Sequence, residues 1–160
     1  MLKQPDGPRV AVMEASGWDT HANQGAEQGQ LFQRLSALDA ALETLRTELG
    51  EVWGSTVVLV ATEFGRTVAI NGTRGTDHGT ATCALLVGGA VNGGKVIADW
   101  PGLATSNLYQ GRDLQPTLDL RSVLKGVLLT HMGCNESLLE TKVFADSAVA
   151  RPLTGLIRQS

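Results

Sequence analysis

The length and composition of the chain limit what it can be. Its 160 residues suffice for one ordinary domain with a hydrophobic core, and hydrophobic residues make up 42% of them. Aromatic residues are only 4%, so the core must consist mainly of Leu, Val and Ala. The 16 acidic and 13 basic residues give a net charge of -3 without any basic run. This charge pattern excludes the electrostatic footprint of a nucleic-acid-binding protein.

Targeting and anchoring segments are not visible in the sequence. No stretch approaches the roughly 18 apolar residues that span a bilayer, and MLKQPDGPRV at the amino terminus lacks the apolar core of a signal peptide. We therefore expect no membrane partner and leave the localisation open.

The two cysteines, Cys83 and Cys134, are too few for a disulfide scaffold or a thiolate metal site. We predict that both are reduced, with a disulfide as the alternative.

The first half of the chain has the pattern of a strand, a helix and a second strand. Residues 9–16 (RVAVMEAS) form a short Val-rich run typical of a buried strand. Residues 55–61 (STVVLVA) form a second β-branched run that is apolar on both faces and is predicted to be central in a sheet. Between them leucines recur at helical spacing, and Gly50 supplies a stop. These leucines are Leu31, Leu35, Leu38, Leu42, Leu45 and Leu49.

This order predicts a βαβ unit, whose two strands are parallel and whose crossover is right-handed. Both strands would then end at the same edge of the sheet, and open α/β sheets bind ligands beyond that edge. The loops GWDTH, residues 17–21, and TEFGRT, residues 62–67, should therefore face each other.

The second half of the chain begins with a Gly-rich and Asn-rich connection, residues 68–79. Residues 80–102 have the pattern of a strand, a glycine turn and a second short strand. An amphipathic helix is predicted to open at Pro116 and to end near Gly133, and the residues beyond it show no clear pattern. We therefore predict a single α/β domain over residues 1–160, with a mainly parallel sheet of few strands and helices on its faces.

Side chains able to bind a metal ion or an anion lie in three short segments. Carboxylate oxygen and neutral imidazole nitrogen are ligands for zinc, manganese and iron, and hydrolase sites need several of them from different loops. An arginine would add a cationic fork for a phosphate or sulfate oxyanion, or for a neighbouring carboxylate. The candidates are Asp19, His21, Glu63, Arg66, Asp77 and His78.

Structural interpretations of these residues stay open. Asp19 could cap the helix that follows it. Glu63 and Arg66 could form an ion pair that holds their loop. Asp77 and His78 could belong to an Asx-type turn.

Two glycines flank the last pair of candidates. Gly75 and Gly79 suit a turn, which favours the structural interpretation of Asp77 and His78. Glycine also leaves room beside the backbone, so these positions would equally let a ligand approach.

Several motifs together resemble a known family. GWDTHANQ, TEFGRT, GTDHG, LLVGG and GGKVIADWPGL occur in the order found in the carboxy-terminal half of the domain-of-unknown-function family 1501 (DUF1501), a relative of the alkaline phosphatases and sulfatases. The resemblance covers about residues 10–133. It implies an alkaline-phosphatase-like partial core, and a chain that is a fragment or a reduced form of a larger domain.

The resemblance implies a hydrolase of small or polymeric phosphate or sulfate esters that binds divalent ions such as zinc or manganese. Asp19 and His21 would match the aspartate and histidine that one ion takes from a single loop. Glu63 would match the acidic ligand after a central strand, and His78 the histidine before a strand that ends in glycine. In an alternative alignment, Asp77 and His78 together match the Asp-His ligand pair of the sulfatases.

The chain also departs from the family pattern. The nucleophilic Ser, Thr or modified Cys of the relatives lies in the amino-terminal half, and this sequence starts near the end of that half, so we expect a metal-activated water to attack. Phe64 stands where many relatives carry a second ligating histidine. The number of ions that the site binds, one or two, therefore stays open. Arg66 and Glu63 are the candidate catalytic residues, with Arg66 offsetting charge on the equatorial oxygens.

The expected partners follow from the same features. A sheet of few strands with two apolar faces leaves its edges uncovered, so we expect a homo-oligomer. The alternative to a hydrolase, favoured by the absence of the nucleophile-bearing amino-terminal half, is a non-catalytic oligomeric scaffold or interaction domain derived from the same fold. The relatives often carry an export signal, which implies a periplasmic location, although no such signal is visible here.

Overall fold

The computed structural model describes residues 2–158, which form a mixed α/β domain. Its helices are α1 (Gln30–Leu49), α2 (Leu120–Thr130) and the short α3 (Glu136–Leu138). Its strands are β1 (Val58–Val60), β2 (Gly65–Arg66), β3 (His78–Gly79) and β4 (Leu85–Val87). The predicted mixture of helices and strands is thus confirmed.

The strands pair antiparallel, so the predicted mainly parallel sheet is wrong. β1 pairs with β4, with Val58 opposite Val87, and β2 pairs with β3, with Gly65 opposite Gly79. Both pairs are successive parts of one long hairpin, since their paired positions converge on the same turn, residues 68–76. Antiparallel neighbours need only such a reversal of the chain, whereas parallel neighbours need a crossover.

Two predicted strands are not formed. Residues 9–16 form no regular structure and are exposed, and Val12 is 92% exposed. The run has a strand-like composition, but no strand of residues 2–158 pairs with it. The second short strand predicted after the glycine turn is not formed either: residues 95–102 belong to no strand, and Val91 within the turn makes a single bridge with Ile157. Because residues 9–16 form no strand, the predicted βαβ unit is wrong as well.

The helix predicted from the leucine stripe is confirmed as α1. It ends where Gly50 adopts a φ of 57° and donates its backbone N–H to the carbonyl of Arg46. The stripe is only partly buried: Leu49 is buried, whereas Leu35 is 49% exposed.

None of the helices in residues 2–158 combines the length and the apolar content that crossing a bilayer requires.

The hydrophobic core lies between the hairpin and α2. Val123 of α2 is buried together with Leu156 and Ile157 from the carboxy-terminal segment. Leu59 of β1 and Leu86 of β4 pack against these three residues. The carboxy-terminal segment therefore completes the core, although its sequence pattern predicted no element.

The predicted helix α2 holds this carboxy-terminal segment. Asp119 caps the first turn by accepting a backbone N–H. Gly126 lets the segment approach, because an added Cβ would lie 2.1 Å from the carbonyl oxygen of Leu153. The fully buried Lys125 donates from Nζ to the carbonyl oxygen of Ser147 at 2.8 Å.

Cys83 and Cys134 are free thiols, as predicted, and Cys83 is exposed.

Candidate metal centre

The candidate site forms where the loop before α1 meets the turn of the hairpin. The backbone N–H of Asn23 donates to the carbonyl oxygen of Thr73 at 3.0 Å, and that of Gln24 donates to the carbonyl oxygen of Arg74 at 3.0 Å. These bonds hold the two loops side by side, so side chains far apart in the sequence become neighbours.

Gly75 of the turn and Gly79 of β3 are approached by protein backbone. An added Cβ on Gly75 would lie 2.2 Å from the carbonyl carbon of His21, and one on Gly79 would lie 2.6 Å from that of Arg66. Protein thus fills the space that was expected to admit a ligand. The glycines allow three segments of the chain, each carrying a candidate side chain, to pack closely.

Asp19, His21 and His78 each bring one ligand atom to a common point. Nε2 of His21 lies 3.0 Å from Oδ1 of Asp19 and 3.2 Å from Nε2 of His78. Nε2 of His78 lies 2.9 Å from the same Oδ1. Ligand atoms about 2.1 Å from a tetrahedral ion lie about 3.4 Å from one another, so this triangle needs only a small expansion to hold an ion. Among the side chains of residues 2–158 that could bind a metal, no other group of three or more converges this closely.

Arg66 lies at the edge of this triangle. Its Nη1 donates to Oδ1 of Asp19, while its Nε donates to Oγ1 of Thr76 at 3.0 Å and its Nη2 to the carbonyl oxygen of Thr76. The guanidinium is therefore fixed on three sides, and 23% of the side chain is exposed. Its ion-pair partner is Asp19, not Glu63 as the structural interpretation proposed.

Asp77 lies behind His21, away from the triangle. Its Oδ1 lies 3.3 Å from Nδ1 of His21 and accepts a hydrogen bond from Nδ2 of Asn71 at 3.0 Å. Oδ1 of Asn71 accepts the backbone N–H groups of Thr73 and Gly75. The turn is thus organised by Asn71, which sequence reasoning missed. The available signal was an asparagine in a glycine-rich turn, where such side chains often bond the backbone.

Phe64 supports the ring of His78. The two rings stack with their centroids 4.2 Å apart and an angle of 30° between their planes. Phe64 is half-buried and supplies no ligand, so it holds the imidazole by packing.

Glu63 lies outside the triangle, although it was predicted both as a ligand and as a catalytic residue. It is exposed and is not part of the converging group. Asp19 does not cap α1, because that helix begins eleven positions later and its N-cap is Gly29. The structure therefore joins Asp19, His21 and His78, places Arg66 and Asp77 beside them, and leaves Glu63 apart.

The two carboxylates of the site are held in their ionised form. The hydrogen bond from His78, together with that from Arg66, lowers the pKa of Asp19 to about 2. Hydrogen bonds from Asn71 and His21 hold the pKa of Asp77 below its ordinary value. A negative Asp19 oxygen is what a cation requires of a ligand.

Two hydroxyl groups beside the site are already engaged. Thr20 and Thr76 are 5% and 6% exposed, and each donates its Oγ1 hydrogen to Oε1 of Gln24 at 2.8 Å. These threonines tie the loops together, so neither is free to act as a nucleophile.

The chain is thus an α/β domain in which the loop before α1 and the hairpin together form an Asp/His/His triangle. This triangle is a candidate divalent-metal centre. Residues 2–143 match the family model of Protein of unknown function (DUF1501), and the chain belongs to this family. The match confirms the family inferred from the motifs. Comparison with curated proteins and with solved structures gave no match.

Proposed function

We propose that this chain carries a divalent-metal hydrolase centre for phosphate or sulfate esters. The observation that carries the proposal is the triangle formed by Asp19, His21 and His78, with edges of 2.9, 3.0 and 3.2 Å. One carboxylate and two imidazoles suit zinc or manganese. The substrate class rests on the relationship to the alkaline phosphatases and sulfatases that the resemblance to the family implies.

The three side chains would bind the ion as a set and leave it accessible. His21 and His78 would each offer the lone pair of Nε2, and Asp19 would offer Oδ1. Three protein ligands leave a tetrahedral ion one open position. About half of each side chain is exposed, 48% for Asp19 and His21 and 53% for His78, so an ester can reach this position. A bound ion would polarise the ester and lower the pKa of a water molecule towards neutrality.

Arg66 is placed to bind the anionic part of the substrate. Thr76 holds its Nε and Nη2, while Nη1 faces Asp19. Once Oδ1 of Asp19 is shared with a cation, Nη1 can donate to an equatorial oxygen of a phosphate or sulfate group. Since Thr20 and Thr76 are engaged, we propose that water is the attacking group. We assign Glu63 no role, because its carboxylate lies outside the triangle.

Hydrolysis of p-nitrophenyl phosphate and p-nitrophenyl sulfate tests this function. We expect release of p-nitrophenol that depends on added zinc or manganese and is lost in His78→Ala. His131→Ala is the matched control, since His131 lies at the end of α2 and outside the triangle. Background rates for the wild-type protein with every ion and both esters would refute a hydrolase of this class.

A second candidate function, a non-catalytic oligomeric interaction domain, is favoured by the exposed apolar segment at residues 9–16. Val10, Val12 and Met13 in this segment are 64%, 92% and 80% exposed. In the described part of the chain, β1 has a hydrogen-bonded neighbour on one side only. Open strand edges and exposed apolar side chains are typical of association.

Sedimentation combined with elemental analysis separates the two candidates. A stable oligomer without bound metal would favour the interaction domain. A protein with near-stoichiometric metal would favour the hydrolase, whatever its oligomeric state.

A further inference from the structure

We propose that Asp77 is a positioning residue that fixes the ring of His21, so that Nδ1 carries the proton and the lone pair of Nε2 points at the shared ligand position. Asp77 would act on a bound ion through His21, without touching it. This inference rests on the proposed metal centre and replaces the expectation that Asp77 is a ligand.

The two ring nitrogens of His21 face different partners. Nδ1 lies 3.3 Å from Oδ1 of Asp77. Nε2 lies 3.0 Å from Oδ1 of Asp19 and 3.2 Å from Nε2 of His78. The nitrogens of an imidazole point in diverging directions, so a carboxylate bonded to Nδ1 does not share the point that Nε2 approaches. Asp77 is therefore outside the triangle for a geometric reason.

The partners of His21 also decide where its proton lies. A neutral imidazole carries one N–H, and the group that accepts from it selects the nitrogen. The Asp77 carboxylate has no proton to give, so its contact with Nδ1 is a hydrogen bond only when Nδ1 is protonated. Nε2 then keeps its lone pair, which a metal ligand needs.

Asp19 competes weakly for the same proton. Its Oδ1 contacts Nε2 of His21, but this oxygen already accepts from Nη1 of Arg66 and lies 2.9 Å from Nε2 of His78. A proton on Nε2 of His78 can be directed at both Asp19 and the Nε2 lone pair of His21. With the His21 proton on Nδ1, the 3.0 Å contact between its Nε2 and Oδ1 of Asp19 is the one contact of the triangle without a hydrogen, and a cation shared by these two atoms would satisfy it.

Asn71 holds Asp77 in place for this role. Its Nδ2 donates to Oδ1 of Asp77 at 3.0 Å and to the carbonyl oxygen of His21 at 2.9 Å. Its Oδ1 accepts backbone N–H groups of Thr73 and Gly75 at 3.0 and 2.9 Å. Because both ends of the amide have partners, its orientation is fixed. Asn71 therefore links the Asp77 carboxylate to His21, the residue that Asp77 is proposed to orient.

Removing Asp77 should weaken metal binding without removing a ligand. Carboxylates that hydrogen-bond a metal-binding histidine contribute about 10–100-fold to metal affinity. We expect Asp77→Ala to raise the Kd for zinc by about this factor, with a stoichiometry still at one ion per chain. Asp77→Asn keeps an acceptor oxygen without the charge, so its effect should be smaller. Asp39→Ala, which removes an exposed carboxylate from α1, is the matched control.

Nitrogen NMR of the histidine side chains, combined with zinc and cobalt titrations, tests the proposal. We expect His21 with its proton on Nδ1 in wild-type protein, and a gain of the Nε2–H tautomer in Asp77→Ala. The visible spectrum of bound cobalt should match between these proteins at saturation. An unchanged tautomer in Asp77→Ala, or a cobalt spectrum that shows a lost ligand, would overturn the role of Asp77. Wild-type protein that binds neither ion would refute the metal centre itself, and the tautomer would still decide whether Asp77 orients His21.

Discussion

Nε2 of His21 and Nε2 of His78 face each other at 3.2 Å, although the two residues are 57 positions apart in the chain. Two imidazole nitrogens at this distance need a shared proton or a shared cation, because two lone pairs repel each other. His78 reaches this position from strand β3, and His21 reaches it from the loop packed against the hairpin turn. The candidate site therefore depends on how tightly this loop and this turn are joined.

Gly75→Ala should separate the loop from the turn. Its added Cβ would lie 2.2 Å from the carbonyl carbon of His21, which is backbone and cannot rotate away. We expect the free energy of unfolding to fall by about 1–3 kcal/mol and zinc binding to weaken, as measured by chemical denaturation and calorimetric titration. Gly72→Ala in the same turn is the matched control, because nothing lies within 4 Å of its added Cβ. Equal stability and affinity in the two variants would show that the contact does not organise the site.

The helices α1 and α2 could be predicted from the sequence, but the short α3 and the pairing of the strands could not. The leucine stripe of α1 and the amphipathic pattern of α2 identify helices because their period differs from that of a strand. The apolar run around β1 carries no such information about its neighbour, since it looks the same beside a parallel or an antiparallel strand. Residues 9–16 show that a strand-like composition does not by itself predict a paired strand, because these residues have the pattern and form no such strand.

The candidate site was predictable only in part, for a similar reason. Asp19, His21 and His78 carry side chains with metal chemistry, so they could be selected by residue type and by the loops in which they occur. Asn71 and Phe64 act through their contacts with the turn and with the His78 ring, and contacts cannot be read from residue type. Glu63 has suitable chemistry but lies in the bend between β1 and β2, outside the triangle, and its residue type gave no sign of that position.

Leu139→Ala should show that the helical turn after α3 is buried in the fold. Leu139 is fully buried, and large-to-small substitutions at such positions cost about 2–5 kcal/mol. We expect a loss of this size in chemical denaturation. Leu138→Ala is the control from the neighbouring position, which is 47% exposed, and it should cost much less. Similar losses for both variants would argue against the burial of this segment.

Asp113→Asn should reduce the acid sensitivity of the fold. Asp113 is 3% exposed, and the hydrogen bond from Arg112, followed by that from Thr80, holds its pKa below the ordinary value. A depressed folded pKa contributes stability that is complete above the unfolded pKa of about 3.9 and is lost as the pH falls through the folded value. We expect the difference in melting temperature between wild type and Asp113→Asn to shrink as the pH falls from about 5 to about 2.

The matched control for this pH series is Asp39→Asn, which changes an exposed carboxylate on α1. Its melting curve should parallel that of the wild type across the series. A difference between wild type and Asp113→Asn that stays constant with pH would show that Asp113 does not couple folding to protonation.

Arg66→Ala should separate substrate binding from metal binding. The proposed role of Arg66 is to donate to the anion, so we expect kcat/KM for an aryl phosphate or sulfate to fall about 10²–10³-fold. The affinity for zinc should not fall, because the substitution frees Oδ1 of Asp19 from a competing cation. Arg46→Ala, which breaks an exposed ion pair with Glu43 on α1, is the control. A parallel loss of zinc affinity and activity would assign Arg66 a purely structural role.

Calorimetric titration of zinc into the wild-type protein, His78→Ala and His131→Ala tests the metal centre most directly. We predict one zinc ion per chain for the wild type and for His131→Ala, and no saturable binding to His78→Ala. At a free zinc concentration 100 times the Kd, the folded state should gain about 2.7 kcal/mol, seen as a rise in melting temperature. Wild-type protein that binds no zinc, or His78→Ala that binds it as tightly as the wild type does, would contradict the account.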